Sequence, residues 1–432
     1  MTPQSNFMVL APIAAGRVDD LRQLLATMNR GAGVVDPQNV LIPFAQLDTL
    51  HFARIVILDD ATVDDITAYG LPKTSYPTYL TFLGDIDGPP EAFMAELVQR
   101  AGEGLKRIFS HCEGFTPNDL AGWMKAHSAS PATAYVNWVG RTVRQVGEEA
   151  ALRAALLSYV QQNAGMLAEM QPALAHRKLR AYIESEQQAG RLTLTPEAAT
   201  PLDWRVRNLI HLFGVPLVLL LLTPFLILYF PIFLIQLRQH ERSDPTMAPR
   251  IDPAHAHELY ILEDHDVTNQ FNAMGTIKPG AFRRWTLTFL LWVIDYTTKH
   301  IYNRGRLARV SSIHFARWVY LDDKKRLIFC SNYDGSLESY MDDFINKVGF
   351  GLNVVFGNGI GYPATRFLLL DGASNEQKFK YVLRRHQLPS QVWYNAHPGL
   401  NAYDRHRNTL IREGLEEGSL TNTEAQRWLQ MI

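Results

Sequence analysis

Apolar and polar positions along the chain mark its strands, and they do so twice. In LHFARIVILDD, Leu50, Phe52, Val56 and Leu58 alternate with Ala53, Ile55 and Ile57, so both faces are apolar and the strand is buried on both sides. The string IHFARWVYLDD, from Ile313, repeats it almost letter for letter. The surroundings repeat as well. FMVLAPIAAG from Phe7 lies over FNAMGTIKPG from Phe271, and a stretch of helical periodicity follows each. His51 then falls over His314 and Arg54 over Arg317. YLTFLGDIDGPPEAFMAEL matches RLIFCSNYDGSLESYMDDF without a gap, and ATAYVNWVG and QVWYNAH close the two copies.

Each copy reads strand, helix, strand, strand, helix, strand, the order of the ferredoxin-like split βαβ unit. An antiparallel sheet with helices on one face leaves the other face to be covered. The expected fold class is therefore α+β, with tandem ferredoxin-like repeats over residues 1–145 and 243–400 stacked face to face about a pseudo-two-fold axis. Residues 146–204 have helical spacing with mixed charge and predict connecting helices. Residues 401–432 predict a helix–turn–helix tail whose last helix is capped by Thr421 or Asn422.

Between the copies, residues 205–242 carry LIHLFGVPLVLLLLTPFLILYFPIFLIQL, long enough to cross a bilayer, which takes about 20 residues. Pro216, Pro224 and Pro231 interrupt it, and Arg205, Arg207, Arg238 and Arg242 flank it on both sides. A single crossing would separate two halves that the repeat requires to pack together. The pattern predicts a re-entrant or monotopic anchor on the cytoplasmic face of a membrane, bent at the prolines. Its partners would be membrane lipid and an apolar or lipid-like small molecule.

Charge adds an exclusion: 42 Lys and Arg nearly balance 43 Asp and Glu, so nothing points to nucleic acid. Cys112 and Cys330 are the only cysteines in 432 residues, which suits a reducing compartment and excludes a disulfide framework. The N-terminus has no basic stretch before its apolar run and predicts a buried strand instead of a signal peptide.

Candidate chemistry lies on the repeated strands. GDIDG, Gly84 to Gly88, fits the pattern G-x-x-D-G. With the repeat topology, it resembles the dimeric α+β-barrel superfamily, which includes dye-decolourising peroxidases and chlorite dismutases. That resemblance implies a haem cofactor, with Asp87 as distal acid/base and Arg54 as distal cation. In the second copy SNYDG keeps Asp334, with Arg317 in the place of Arg54, but loses the first Gly; the family's Asn-Pro after the motif is absent. The plainer alternative makes Asp87 and Asp334 caps of the helices that follow them. His51 and His314 are candidate haem or metal ligands or general bases, against the alternative of hydrogen-bonded core histidines. If their face lines the space between the sheets, they approach one another, and Arg54 and Arg317 lie on the opposite face. Buried arginines need carboxylates, and Asp59, Asp60, Asp322 and Asp323 are nearest in sequence.

A second cluster, IDPAHAHELYILEDHD, precedes the second copy. His255 and His257 alternate to one side if the chain is extended. With Glu263 and His265 they form a candidate set for a single transition metal, the alternative being an exposed polar linker. His265 stands out because the first copy has no counterpart. Together these readings predict a membrane-associated enzyme, an oxidoreductase with haem or another metal, acting on an apolar or lipid-like substrate. The alternative is a lipid-binding protein or membrane-tethered scaffold with no cofactor.

Overall fold

The strands buried on both faces assemble into two antiparallel sheets in a computed structural model, which describes residues 1–247 and 250–432. In the first sheet Gln4–Pro12 pairs with Tyr79–Asp87, and Tyr79–Asp87 with Leu50–Leu58. In the second, Thr268–Thr276 pairs with Arg326–Asp334, and Arg326–Asp334 with Ile313–Leu321. The closing strands do not close their own copies. Ser390–Asn395, from the second half, pairs along Leu50–Leu58, and Thr133–Val136, from the first, pairs along Ile313–Leu321. The two HFAR strands are apolar on both faces, so an uncovered edge would be an adhesive one. Exchange covers both edges and ties the halves into one body.

The sheets pack face to face. Met8, Val56, Leu58 and Leu83 meet Met274, Val319, Leu321, Ile328 and Cys330 between them. On the outer face of the first sheet, Ala53, Ile55 and Ile57 pack under Val18–Ala26 and Pro90–Phe109, with Leu21, Leu25, Phe93 and Leu97 turned inward. Ala281–His300 and Leu337–Phe356 cover the second sheet in the same way.

This arrangement corrects the placement of the arginines. Arg54 and Arg317 lie on the inter-sheet face, and each reaches across to the opposite sheet. Arg317 donates to the carbonyls of Phe7 (2.9 Å) and Gly84 (3.0 Å) and to the Asp85 carboxylate. Arg54 donates to the carbonyls of Phe271 and Ser331 (both 3.1 Å) and to Asn272 Oδ1 at 2.8 Å. The carbonyl partners correspond in the two copies, Phe7 to Phe271 and Gly84 to Ser331, but the side-chain partners do not: Asp85 falls over Asn332, while Asn272 falls over Met8. The carboxylate near both is Asp85, which bonds Arg317 from the facing sheet and acts on Arg54 from the neighbouring strand of its own sheet. The sequence-near acids go elsewhere, Asp60 and Asp322 to Arg326 (3.7 and 2.6 Å) and Asp59 to Arg22 (3.2 Å).

The connecting helices and the tail form one unit. Val143–Gln162, Pro172–Gln188, Ala402–Glu416 and Asn422–Leu429 enclose Leu152, Leu156, Leu179, Ile183, Ile411 and Trp428. Thr421 caps the last helix through a reciprocal box with Glu424.

The apolar insert is one unbroken helix, Leu202–Ser243, of 42 residues, about 63 Å long at roughly 1.5 Å per residue. It does not turn back at its prolines, as the sequence suggested. Each proline removes a single N–H donor, and the remaining ladder carries the helix through. It runs antiparallel to Ala281–His300 and is tied at both ends. His211 shares a 2.8 Å hydrogen bond with His300, and the Leu212 carbonyl accepts from the Tyr296 hydroxyl at 3.3 Å. Near the other end Phe233 and His240 lie against Phe282, and the Glu241 carboxylate accepts from the backbone N–H groups of Phe367 and Leu368. Between these ties, the side facing away from the body is apolar and bare: Leu220, Leu221 and Leu228 are 68%, 71% and 77% exposed.

Candidate functional site

The register of each HFAR strand slips at its start, between Leu50 and Phe52 and between Ile313 and Phe315. A bulge of this kind re-aims a side chain, and here it brings His51 and His314 to one end of the inter-sheet space. The His51 ring lies 5.4 Å from Phe315, and the His314 ring 5.4 Å from Phe52. Both histidines line one small pocket with Gln4, Asn137, Trp138, Arg141 and Arg405. Both imidazoles line this one pocket, on the arginine-bearing face of the strands.

Each histidine is paired with the Asp of its own copy. His51 Nε2 donates to Asp87 Oδ1 at 2.9 Å and His314 Nε2 to Asp334 Oδ1 at 2.6 Å. The second oxygens accept from the first turns of the bundle helices, Asp87 Oδ2 from Val143 N at 2.8 Å and Asp334 Oδ2 from Ala402 N at 2.7 Å. Neither Asp caps the helix that follows it in sequence: Pro89, with no side-chain bond, begins one, and Ser336 caps the other. The carboxylates instead receive the helices that follow the exchanged strands.

A carboxylate only accepts, so Nε2 carries a hydrogen and Nδ1 is the nitrogen left to take up or give a further proton. Nδ1 of both rings makes no hydrogen bond among the described residues. Burial, with Arg405 and Arg141 nearby, holds His314 below its usual range against the opposing pull of Asp334. Burial raises Asp334, but His314, Ala402 N–H and the Thr268 hydroxyl outweigh it and leave its carboxyl below the ordinary value. Asp334 attracts charge onto His314 while desolvation drives it off; with the ring 3% exposed, desolvation wins. The pair is therefore a neutral imidazole held by an ionised carboxylate.

Two arginines complete the site. Arg405 lies over the Phe52 ring at 5.2 Å and donates to the Leu400 carbonyl at 3.2 Å. Arg141 stacks over Trp138 at 4.2 Å. Burial pulls each down to about 10, so both stay cationic at neutral pH. The pocket measures about 20 Å³, room for about one water. Beyond Trp138 and Arg141 a larger cleft of about 710 Å³ runs along the bundle, with Thr200 and Arg304 among its walls. Those two residues stand just outside the adjoining ends of Leu202–Ser243 and Ala281–His300, so the cleft begins where the apolar helix begins.

The haem implied by the resemblance does not fit this pocket. Both Nε2 atoms are held by carboxylates, and one water's volume does not admit a macrocycle. The second cluster is dispersed. His255 and His257 lie on a helix, Pro253–Leu262, where residues two apart project about 200° from one another. Glu263 is held by Arg384 at 2.7 and 2.8 Å and by Gln387. His265 is exposed, its ring bonded to the Ile261 carbonyl at 2.9 Å, and His255 bonds the Gln387 carbonyl at 2.8 Å. These four are not brought together.

Arg141, Arg405, Trp138 and Asn137 escaped the sequence reading. One signal was present in the closing stretches, where Asn137 and Gly140 stand in YVNWVGRT much as Asn395 and Gly399 stand in WYNAHPGLN. Searches with this chain against protein-family models, curated proteins and solved structures match none of them.

Proposed function

We propose that this protein is a membrane-surface enzyme that moves protons on an amphiphilic, lipid-like substrate. The observation that carries this reading is the convergence of two His–Asp pairs, each with a free basic nitrogen, on one pocket flanked by two buried guanidinium groups. An oriented imidazole takes a proton from a bound water or substrate hydroxyl, and a nearby fixed cation stabilises the charge that develops. The imidazolium so formed would hand that same proton to the leaving oxygen as the substrate's ester bond breaks, directly or through the second ring's Nδ1 acting as a relay. The substrate's apolar part would lie along the exposed face of Leu202–Ser243, and its polar end would enter the cleft that starts beside Thr200. An oxidoreductase reaction at the same pocket would need an electron carrier brought by the substrate side of the cleft.

On this reading the halves are diverged copies of one ferredoxin-like unit, joined as in an α+β barrel. The repeated spacing of His51, Arg54 and Asp87 with His314, Arg317 and Asp334 supports it. We assign docking to the cytoplasmic face of a membrane, in keeping with two free, buried cysteines.

The test is turnover of lipid. Purified protein is incubated with vesicles of a total lipid extract, and products are followed by mass spectrometry. The wild type should consume a lipid that the His51→Gln, His314→Gln double variant leaves unchanged. No consumption by the wild type, or equal consumption by both, refutes the enzyme. A second reading rests on the bonds from Val143 and Ala402: the pairs would serve only to latch the exchanged helices. In that case the double variant loses stability without any change in chemistry.

A further inference from the structure

Arg141 has a feature that proton transfer leaves unused. It sits between Gly140, whose φ of +98° sets the turn, and Thr142, which caps Val143–Gln162. Its side chain is 6% exposed, and its guanidinium makes no hydrogen bond among the described residues. Nε and Nη2 are fully buried and have no partner. These two N–H bonds form one edge of the guanidinium and point in parallel, the edge that grips two oxygens of a carboxylate or phosphate at once.

The nearest carboxylate does not fill that edge. Glu149 accepts from Gln145 at 3.0 Å and from Thr409 at 2.7 Å, and acts on Arg141 through its charge without a hydrogen bond to it among the described residues. Trp138 holds the guanidinium plane from one side. Of the other acids of the cleft, Glu184 is held by Arg180 at 3.0 Å and Glu416 by Arg412 at 2.9 Å, while Glu413 acts on Arg141 through its charge without a hydrogen bond to it among the described residues. Arg412, 6% exposed, also leaves a buried Nη1 without a hydrogen bond, 3.9 Å from the Glu148 carboxylate. A buried guanidinium with an open fork is costly to the empty protein, and a bound oxyanion removes that cost.

We propose that the cleft is an oxyanion-binding site in which the Nε–Nη2 edge of Arg141 takes two oxygens of a phosphate or carboxylate, with Arg412 as a second cation. The inference rests on the reading of the pocket and cleft as a ligand site, and it names the substrate class: an anionic amphiphile whose charged end is slim enough to reach Arg141. The same chemistry admits two sources, an anionic lipid headgroup delivered along the apolar helix or a soluble phosphate ester.

Thermal unfolding of the full chain in detergent tests it. Inorganic phosphate is titrated at constant ionic strength with chloride as control, and micelles doped with phosphatidic acid are compared with phosphatidylcholine. Binding to the folded state raises Tm saturably, by about 1–2 °C for each tenfold excess of ligand over Kd in a chain of 432 residues. A rise with phosphate identifies a soluble oxyanion as sufficient; a rise with phosphatidic acid alone identifies the lipid headgroup. Arg141→Met should abolish the rise without lowering the Tm of the unliganded protein. Arg141→Lys, which keeps the charge and loses the fork, should weaken the rise at least tenfold in apparent Kd. The His51→Gln, His314→Gln variant should keep it, so loss of proton transfer and loss of anion capture are separable. No saturable rise with either anion, or a rise that survives in Arg141→Met, overturns the proposal.

Discussion

Replacing Asp85 by Asn removes one charge and almost no volume from the inter-sheet core. In the wild type this carboxylate, 4% exposed, accepts from Arg317 and from Asn332 Nδ2 at 3.0 Å, and it is the acid facing two buried guanidinium groups. Among the described residues Arg54 has no carboxylate in hydrogen-bond reach; burial pulls it down to about 10, with the Cys330 sulfur and Asp85 among the groups that oppose the fall. Without Asp85 both cations remain buried and uncompensated, and breaking such a pair costs about 3–5 kcal/mol. Against a typical total of roughly 5–15 kcal/mol, that is a large fraction. The repeat supplies the control. Asn332 occupies the symmetry-related position beside Arg54, with its Oδ1 unpartnered, so Asn332→Asp added to Asp85→Asn returns the carboxylate on the other side. Urea unfolding of the wild type, both single variants and the double variant completes a thermodynamic cycle. Asp85→Asn should lose about 3–5 kcal/mol and the double variant should regain most of it, giving coupling far above the few tenths expected of independent sites. A loss under about 1 kcal/mol for Asp85→Asn, or additivity of the two changes, would refute the cross-lock as described.

Acid should loosen the junction between the first sheet and the bundle before it reaches the carboxylates. Burial, with Arg405 beside it, holds His397 down to about 4, against the bond from its Nε2 to the Val143 carbonyl. The unfolded ring, near 6.5, binds its proton first, so this contribution is complete above about pH 6.5 and is lost as pH falls toward 4. The loss is at most about 3 kcal/mol, and less for whatever water reaches the ring; His397→Gln should flatten that stretch of a Tm-against-pH profile, and an unchanged profile would count against it. Leu221→Glu with Leu228→Glu should cut vesicle flotation about 100-fold or more, since each exposed leucine is worth about 1.5–3 kcal/mol when buried. Flotation equal to wild type would mean that this face does not meet lipid. Residues 1–200 expressed alone should aggregate, because Leu50–Leu58 then has a bare apolar edge where Ser390–Asn395 belongs; a soluble monomer would contradict the importance of the exchange.

What the chain betrays about itself follows from the range of the interaction involved. Alternation in LHFARIVIL is local, and burial on both faces follows from it directly. The match between the copies is a comparison along the chain, and it yields the two sheets and the meeting of His51 with His314. The partners of Arg54 and Arg317 are neither local nor repeated in chemistry. Asp85 looks like an outward-facing neighbour of Asp87 until one knows which face of Tyr79–Asp87 meets the other sheet. The bulge at His51 compounds the difficulty, because a one-residue slip reverses the face on which every later side chain lies. Exchange of the closing strands is hidden for a different reason. ATAYVNWVG and QVWYNAH suit either edge equally well in composition, and what decides between them is the reach of the segments before them and the helices after them. That choice also creates the site. Only with the strands exchanged do Val143 and Ala402 arrive at Asp87 and Asp334, and only then do Arg141 and Arg405, one from each half, stand over the same pocket. The pocket is thus a product of the crossing itself, and a residue-by-residue reading of either copy, however faithful to its own strands, has no place in which to put it.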